Sequence, residues 1–339
     1  GCALISRQTP NCANVEWLFD PAVWVDDDNR AYLYFGGGVP DGKAENPGTG
    51  RVVELGDDMI SIKGEPISFD IPYLFEDSGI NKIGDTYYYS YCSNFSVTEE
   101  GEKKYGFSNG QIITMKSKNP MGPFELVGPI LRNPEEFCGI RGNNHHCMFK
   151  FNDKYYMAYH TQMLENKTPL HGGYRSTNIN EVTFDENGNI NDIQMTEEGV
   201  VQFKLVNAFV EQPAAMMSTM GGVETAPADE MTRLCGSGTM DLSIVMPGSW
   251  TLIEGVDFGS TGAQKCSIKV RPSKKADSAI QIRIDSLDGD AVGCVEIPVA
   301  SDNGVVEITA ELDKVVTGTH DLYFVFDGEE YSVQSWKFI

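Results

Sequence analysis

The sequence predicts an all-β chain in two parts, a portion of a β-propeller over residues 1–205 and a β-sandwich over residues 206–339. Three observations carry this reading. A hairpin pattern of apolar run, polar turn and apolar run occurs three times before residue 165. A further stretch of β-branched alternation follows each copy. From about Val206 onward, short alternating runs recur with turn residues between them, and helical periodicity is nearly absent throughout.

The hairpins are FDPAVWVDDDNRAYLYFGG (19–37), FEDSGINKIGDTYYYSYCS (75–93) and NNHHCMFKFNDKYYMAYHT (143–161). They align without gaps, so that Tyr32, Tyr88 and Tyr156 coincide, as do the turn residues Asn29, Asp85 and Asp153. The second strand pairs are expected in 51–69, 110–127 and 173–190, each broken by Gly, Pro, Asn or Asp. Four strands per repeated unit is the pattern of a propeller blade, and about three blades fit before the texture changes. Propellers usually close with about four to eight blades, so the expectation is that others precede residue 1 or come from a partner chain.

The second part is expected to hold strands in 249–259, 264–272, 278–289, 293–299, 304–312 and 319–328, closing on YSVQSWKFI. At roughly 130 residues it can bury its own core.

Composition narrows the partners. The formal net charge of −23 argues against nucleic acid and against an anionic membrane. An acidic surface suits a neutral substrate such as a sugar, and equally it serves solubility alone. No apolar run has the length of a transmembrane helix, and GCALISRQTPNCANVEW carries no signal-peptide pattern. The eight cysteines form no CxxC pair or dense framework; several lie in strand-like runs, which argues mildly for a reducing environment.

Chemistry concentrates at one repeat position. Twelve residues before the shared tyrosine stand Asp20, Glu76 and Asn144. Radial symmetry brings such positions together near the axis. Two carboxyl groups at a concave site are the basis of acid/base glycoside hydrolysis, with burial and mutual repulsion expected to leave one of them protonated near neutrality. His145 and His146 follow. On a strand, neighbours face opposite ways, so at most one is expected to look into the axis, as a metal or substrate contact or as a hydrogen-bonded core histidine. Arg175 is a candidate partner for carboxylates or sugar hydroxyls, or an ordinary surface arginine.

WLFDPAVWVDDDNRAYLYFGGG, LFEDSGINKIGDTYYYSYCSNF, GNNHHCMFKFNDKYYMAYH and GGYRSTNINEV, in that order, resemble glycoside hydrolase family 43, in its arabinoxylan arabinofuranohydrolase and β-xylosidase branch. The resemblance covers residues 3 to about 200. It implies a five-bladed propeller that hydrolyses arabinoxylan, or xylo- and arabino-oligosaccharides, with inversion. Glu76 matches the general acid and Asp20 the aspartate that tunes the acid's pKa. Arg175 matches an arginine beside the sugar, and Asn144, Phe75 and Phe19 join it as expected substrate contacts. His145 matches the histidine beside an axial calcium. The general base belongs to the family's first blade and has no counterpart in this chain, so it is expected in absent N-terminal blades, the chain being truncated or those blades coming from a second polypeptide.

SWTLIEGVDFGSTG, IRIDSLDGDAVGCVEIPV and GTHDLYFVF resemble a family 6 carbohydrate-binding module, in which Glu211 matches a ligand of a structural calcium. The loop SDNGVVEI (301–308) has no Trp or Tyr, and the closing YSVQSWKF lacks an Asn–Asp pair, so domain packing stands beside sugar binding as its role. For the whole chain, the competing function is a non-catalytic carbohydrate-binding propeller or an inactive fragment.

Overall fold

The computed structural model describes residues 3–163, 175–236, 238–274, 276–300 and 304–339. The expectations that fall on Gly173, Tyr174 and residues 301–303 lie outside them. The described residues form two compact units, one up to Val200 and one from Val201 to Ile339.

The first unit contains three separate antiparallel meanders. One has the order β1 (Ala22–Val25), β2 (Ala31–Phe35), β3 (Arg51–Leu55) and β4 (Ile62–Ser68). The next runs β5 (Leu74–Ile83), β6 (Thr86–Ser93), β7 (Ile112–Ser117) and β8 (Glu125–Leu131). The third is β9 (His146–Phe151), β10 (Lys154–Thr161) and β11 (Ser176–Val182), three-stranded among the described residues. Short helices α1 (Glu99–Tyr105) and α2 (Pro134–Cys138) interrupt the loops, capped by Thr98 and Asn133 and ended by left-handed Gly106 and Gly139. Their length explains why no helical period shows in the sequence.

The aligned tyrosines occupy equivalent strands, Tyr32 in β2, Tyr88 in β6 and Tyr156 in β10. Tyr88 and Tyr156 pair with the residue seven places back, Asn81 and Phe149, whereas Tyr32 pairs with Trp24, eight places back, because the first turn is longer. Asp26 to Arg30 close the first hairpin through a longer loop, whereas Asn152 and Asp153 make a tight turn with both φ values positive. A ladder of tyrosines forms the densest packing. Tyr34, Tyr89 and Tyr91 are buried in one cluster with Phe69 and Ile113, and the Tyr91 hydroxyl donates to the Pro72 carbonyl at 2.7 Å.

The second unit contains β12 (Val206–Asn207), β13 (Gln212–Pro213), β14 (Thr219–Gly221), β15 (Val223–Pro227), α3 (Glu230–Cys235), β16 (Met240–Ile244), β17 (Ser249–Asp257), β18 (Ala263–Arg271), β19 (Ser278–Ile284), β20 (Ala291–Ile297), β21 (Val306–Val316), β22 (Thr319–Asp327) and β23 (Tyr331–Phe338). One layer has the order β17-β22-β19-β20 and the other β21-β18-β23-β16-β15. Gly293 in β20 pairs with Leu312 in β21, which stitches the layers together along one edge. Ile280, Ile282 and Phe324 from one layer share a core with Ile268, Val333 and Trp336 from the other, the rings of Phe324 and Trp336 being 5.7 Å apart.

A charged cluster ties the first hairpin to the second in unit one. The Lys82 ammonium lies 2.5 Å from Asp26 and 2.8 Å from Asp27, and the Tyr87 hydroxyl donates to Asp26. Burial works to raise the Asp26 carboxyl, but hydrogen bonds from Lys82, Tyr87 and the Asp27 amide outweigh it and bring the group from 3.8 to about 2. A carboxyl lowered in the folded chain stabilises fully above its unfolded value and stops doing so as pH falls through the folded one. Urea unfolding of Asp26→Asn should therefore show a loss of roughly 1–3 kcal/mol at neutral pH. That difference from the unsubstituted protein should shrink between pH 3.8 and about 2.

Candidate active site

β5 lies between β1 and β9, and the polar residues at the start of these strands meet. Asp20 stands just before β1 in a left-handed conformation (φ 46°), and its Oδ2 accepts the Asp77 amide at 3.0 Å. Glu76 is on β5, inside a stretch whose register shifts twice between Leu74 and Gly79. His145 immediately precedes β9 and His146 begins it.

His145 is the hub. Its Nε2 lies 3.0 Å from Glu76 Oε1 and 3.9 Å from Asp20 Oδ2, and its Nδ1 lies 3.7 Å from Asp77 Oδ1. His146 is turned the other way and buried, with Nδ1 2.5 Å from Asp77 Oδ2 and Nε2 2.6 Å from the Ser90 hydroxyl. Both histidines border the same cleft of about 600 Å³, along with Asp20, Asp77, Gly79 and Cys147.

Glu76 is only 6% exposed. Burial pushes its carboxyl up, but hydrogen bonds from His145 and from Asn143 Nδ2 (2.8 Å) prevail, and it sits below its ordinary 4.5. This reverses the raised value expected from repulsion between carboxylates, because the cation between them is a histidine. The Glu76 contact raises His145 above 6.5 against the opposing effect of its burial, with Asp77 and Asp20 adding to the rise. His160, whose ring is 5.9 Å from His145, is pushed down to about 4 by burial and by the nearby Arg175 and His145 charges. Of the two rings, His145 is the one whose surroundings favour the cation.

The other expected contacts divide. Phe19 and Phe75 both pack edge-on against Trp17, at 5.2 and 5.4 Å, and Phe75 also meets Phe95, over which the Arg141 guanidinium lies at 5.1 Å. Trp17 and Phe95 went unassigned in the sequence, although both stand within two of the motifs. Arg175 is exposed and donates to Asn143 Oδ1 at 2.9 Å, reaching Glu76 through that amide. Asn144 is a correction. It is fully buried, with Nδ2 donating to the Arg132 and Gly110 carbonyls, so it has no surface to offer a sugar. Its neighbour Asn143 touches Glu76 instead.

Asp20, Glu76 and His145 have one ligand atom each within 4.8 Å of one another, a set able to hold a divalent cation once His145 gives up its proton. Calcium would need water for most of its six to eight ligands there. Glu211 does not fit a calcium site. Both its oxygens face the Lys269 ammonium, at 2.7 and 2.9 Å, and one accepts the Ser335 hydroxyl at 2.7 Å. The second unit has a cleft of about 680 Å³ bordered by Asp277, Glu296 and Asp327, with no aromatic residue lining it.

The profile of the glycosyl hydrolases family 43 matches residues 6–190. The chain belongs to family 43. A carbohydrate binding module of family 6 follows it, matched over residues 213–339. The family 43 chain is 38% identical over its whole length to an arabinoxylan arabinofuranohydrolase of Paenibacillus polymyxa, and 36% identical to one of Bacillus subtilis. It spans 53% and 66% of the lengths of these curated relatives. It also superimposes over its full length on 70% of the crystal structure of a family 43 arabinoxylan arabinofuranohydrolase from Bacillus subtilis in complex with cellotetraose, with a TM-score of 0.83 and 36% identity.

The His145–Glu76 pair sets a pH window for stability. His145, raised in the folded chain, contributes fully below 6.5 and ceases to as pH rises through its folded value; Glu76, lowered, contributes fully above 4.5 and ceases to as pH falls through its own. His145→Ala should lower unfolding stability by roughly 1–3 kcal/mol, most between pH 4.5 and 6.5. A carbon NMR titration of that variant should show the Glu76 carboxyl raised, since its burial remains and its strongest partner is gone.

Proposed function

We propose that this chain carries the proton donor and part of the sugar-binding surface of an inverting exo-glycosidase. The enzyme would remove terminal α-L-arabinofuranosyl, or β-D-xylosyl, units from arabinoxylan and its oligosaccharides. The observation that carries the reading is the convergence of Glu76 and Asp20 on His145 in a family 43 chain, beside an open cleft that Asp20 and His145 border. In this reading Glu76 protonates the leaving oxygen and Asp20 sets its charge environment. Sugar lying over the pair removes water and favours the neutral carboxyl, so the proton on His145 Nε2 passes across 3.0 Å to Glu76 and on to the leaving group. Trp17, Phe19, Phe75 and Arg175 offer the ring faces and hydrogen bonds that grip a sugar. A divalent cation such as calcium, if held by Asp20, Glu76 and His145, would compete with that proton for the same atoms.

The three meanders are read as blades of a five-bladed propeller, since β1, β5 and β9, the first strand of each, adjoin in that order as inner strands round an axis do. Asp20, Glu76 and Asp77 are the carboxylates within ion-pair reach of His145 among the described residues. An inverting mechanism needs a further base roughly 6.5–9.5 Å from the acid. We assign that base to blades outside these residues, either N-terminal to them or on a second polypeptide, whose presence an intact-mass measurement of the purified material would reveal.

One observation favours a second reading, a carbohydrate-binding propeller without hydrolysis: His145 and Asn143 hold Glu76 in its charged form. Aryl α-L-arabinofuranosides and β-D-xylosides separate the two. The enzyme reading expects sugar release that falls by about 10²–10⁴ in Glu76→Gln. Detectable binding with no release in any preparation would establish the lectin-like reading, and release of the retained anomer by proton NMR would exclude inversion.

A further inference from the structure

We propose that Asp77 is a positioning residue for the Glu76 carboxyl, acting through the two histidines. The inference rests on the reading of Glu76 as the proton donor. On a regular strand Glu76 and Asp77 would point to opposite faces. Here the register shifts on either side of Glu76, and Asp77 takes a left-handed conformation with φ 66°, one that side chains other than glycine adopt rarely. The outcome is that both carboxylates reach the histidine pair.

Asp77 grips more groups than any neighbour. Its amide donates to Asp20 Oδ2 at 3.0 Å. Its Oδ2 accepts the His146 amide at 3.0 Å and His146 Nδ1 at 2.5 Å, and its Oδ1 faces His145 Nδ1 at 3.7 Å. Carboxylates only accept, so His146 Nδ1 carries a proton toward Asp77, while its Nε2 shares a hydrogen bond with the Ser90 hydroxyl. His145 has a carboxylate before each ring nitrogen, Asp77 at Nδ1 and Glu76 at Nε2. Asp77 thereby fixes the plane of the ring that presents a proton to Glu76. Gly79 keeps room for the arrangement: a Cβ there would stand 2.4 Å from Ser90 Oγ and 2.9 Å from His146 Nε2. Strain, register shift and glycine all serve the same clasp.

The test compares poor and good leaving groups in the full chain with whatever polypeptide accompanies it. Asp77→Asn should cut kcat roughly tenfold or more on an alkyl arabinofuranoside, which needs the acid, with KM unchanged. On a dinitrophenyl arabinofuranoside, which needs little protonation, the loss should stay within about twofold. An equal loss on both substrates, or no loss, overturns the proposal, because a purely structural residue makes no such distinction. Should Asp77→Asn not fold, Gly79→Ala displaces the His146 ring while leaving every carboxylate in place, and the same contrast is expected. If the unsubstituted protein releases no sugar from either substrate, the glycosidase reading fails, and the imidazole nitrogen NMR spectrum then decides the positioning alone. Asp77→Asn should move the His145 ring-nitrogen resonances, because the ring loses the carboxylate before its Nδ1; an unchanged His145 spectrum overturns the role.

Discussion

Glu76 and Asp77 are consecutive carboxylates, and both are buried. Taking even one such charge out of water costs several kcal/mol unless a cation or hydrogen-bond donors meet it. The architecture around β5 is the response to that constraint. Two histidines arrive from the start of β9, Asn143 adds an amide, and Asp20 takes the amide of the strained residue between. The register shifts in β5 place the carboxylates where those groups can reach them.

The two units solve the problem of a core differently. The second is filled by aliphatic and aromatic side chains from two layers, and its charged pairs, such as Lys265 with Glu311 and Lys269 with Glu211, lie on the outside. The first mixes polar tips into its packing. Tyr34 and Tyr91 reach proline carbonyls, Tyr88 reaches the Gly188 carbonyl, and the buried Arg51 guanidinium spends its donors on carbonyls of Asn11, Gly48 and Gly50 and on the Asn14 side chain. Such satisfied polar networks specify one arrangement more narrowly than apolar contact does.

Strand positions were legible because period-two alternation and turn residues are local properties. The runs at Ala22–Val25 and Ala31–Phe35 are strands as read, and in the second unit β17 to β23 fall where alternation places them, while the short β12 to β16 were not read. The meeting of Asp20 and Glu76 followed from the hairpin repeat. Asp77 did not, because a repeat argument treats each hairpin as regular and a bulge breaks that premise. Asn144 was chosen over Asn143 for the same reason: the repeat counts residues from a shared tyrosine, whereas the register of β5 shifts on either side of Glu76, so the gap-free count no longer places equivalent residues together. Glu211 failed differently. Its partner Lys269 is distant in sequence, and no local pattern shows that a lysine already occupies the cation's place.

The missing side chain of Gly79 has a consequence for how this region can change. Ser90, His146 and Asp77 fit together only while that position is bare, and Asp77 accepts its strained backbone in company with them. The effect of altering any one of the four depends on the state of the other three. Single-step drift is blocked there, and divergence among descendants would have to proceed by joint replacement, leaving covariation among these positions as its trace.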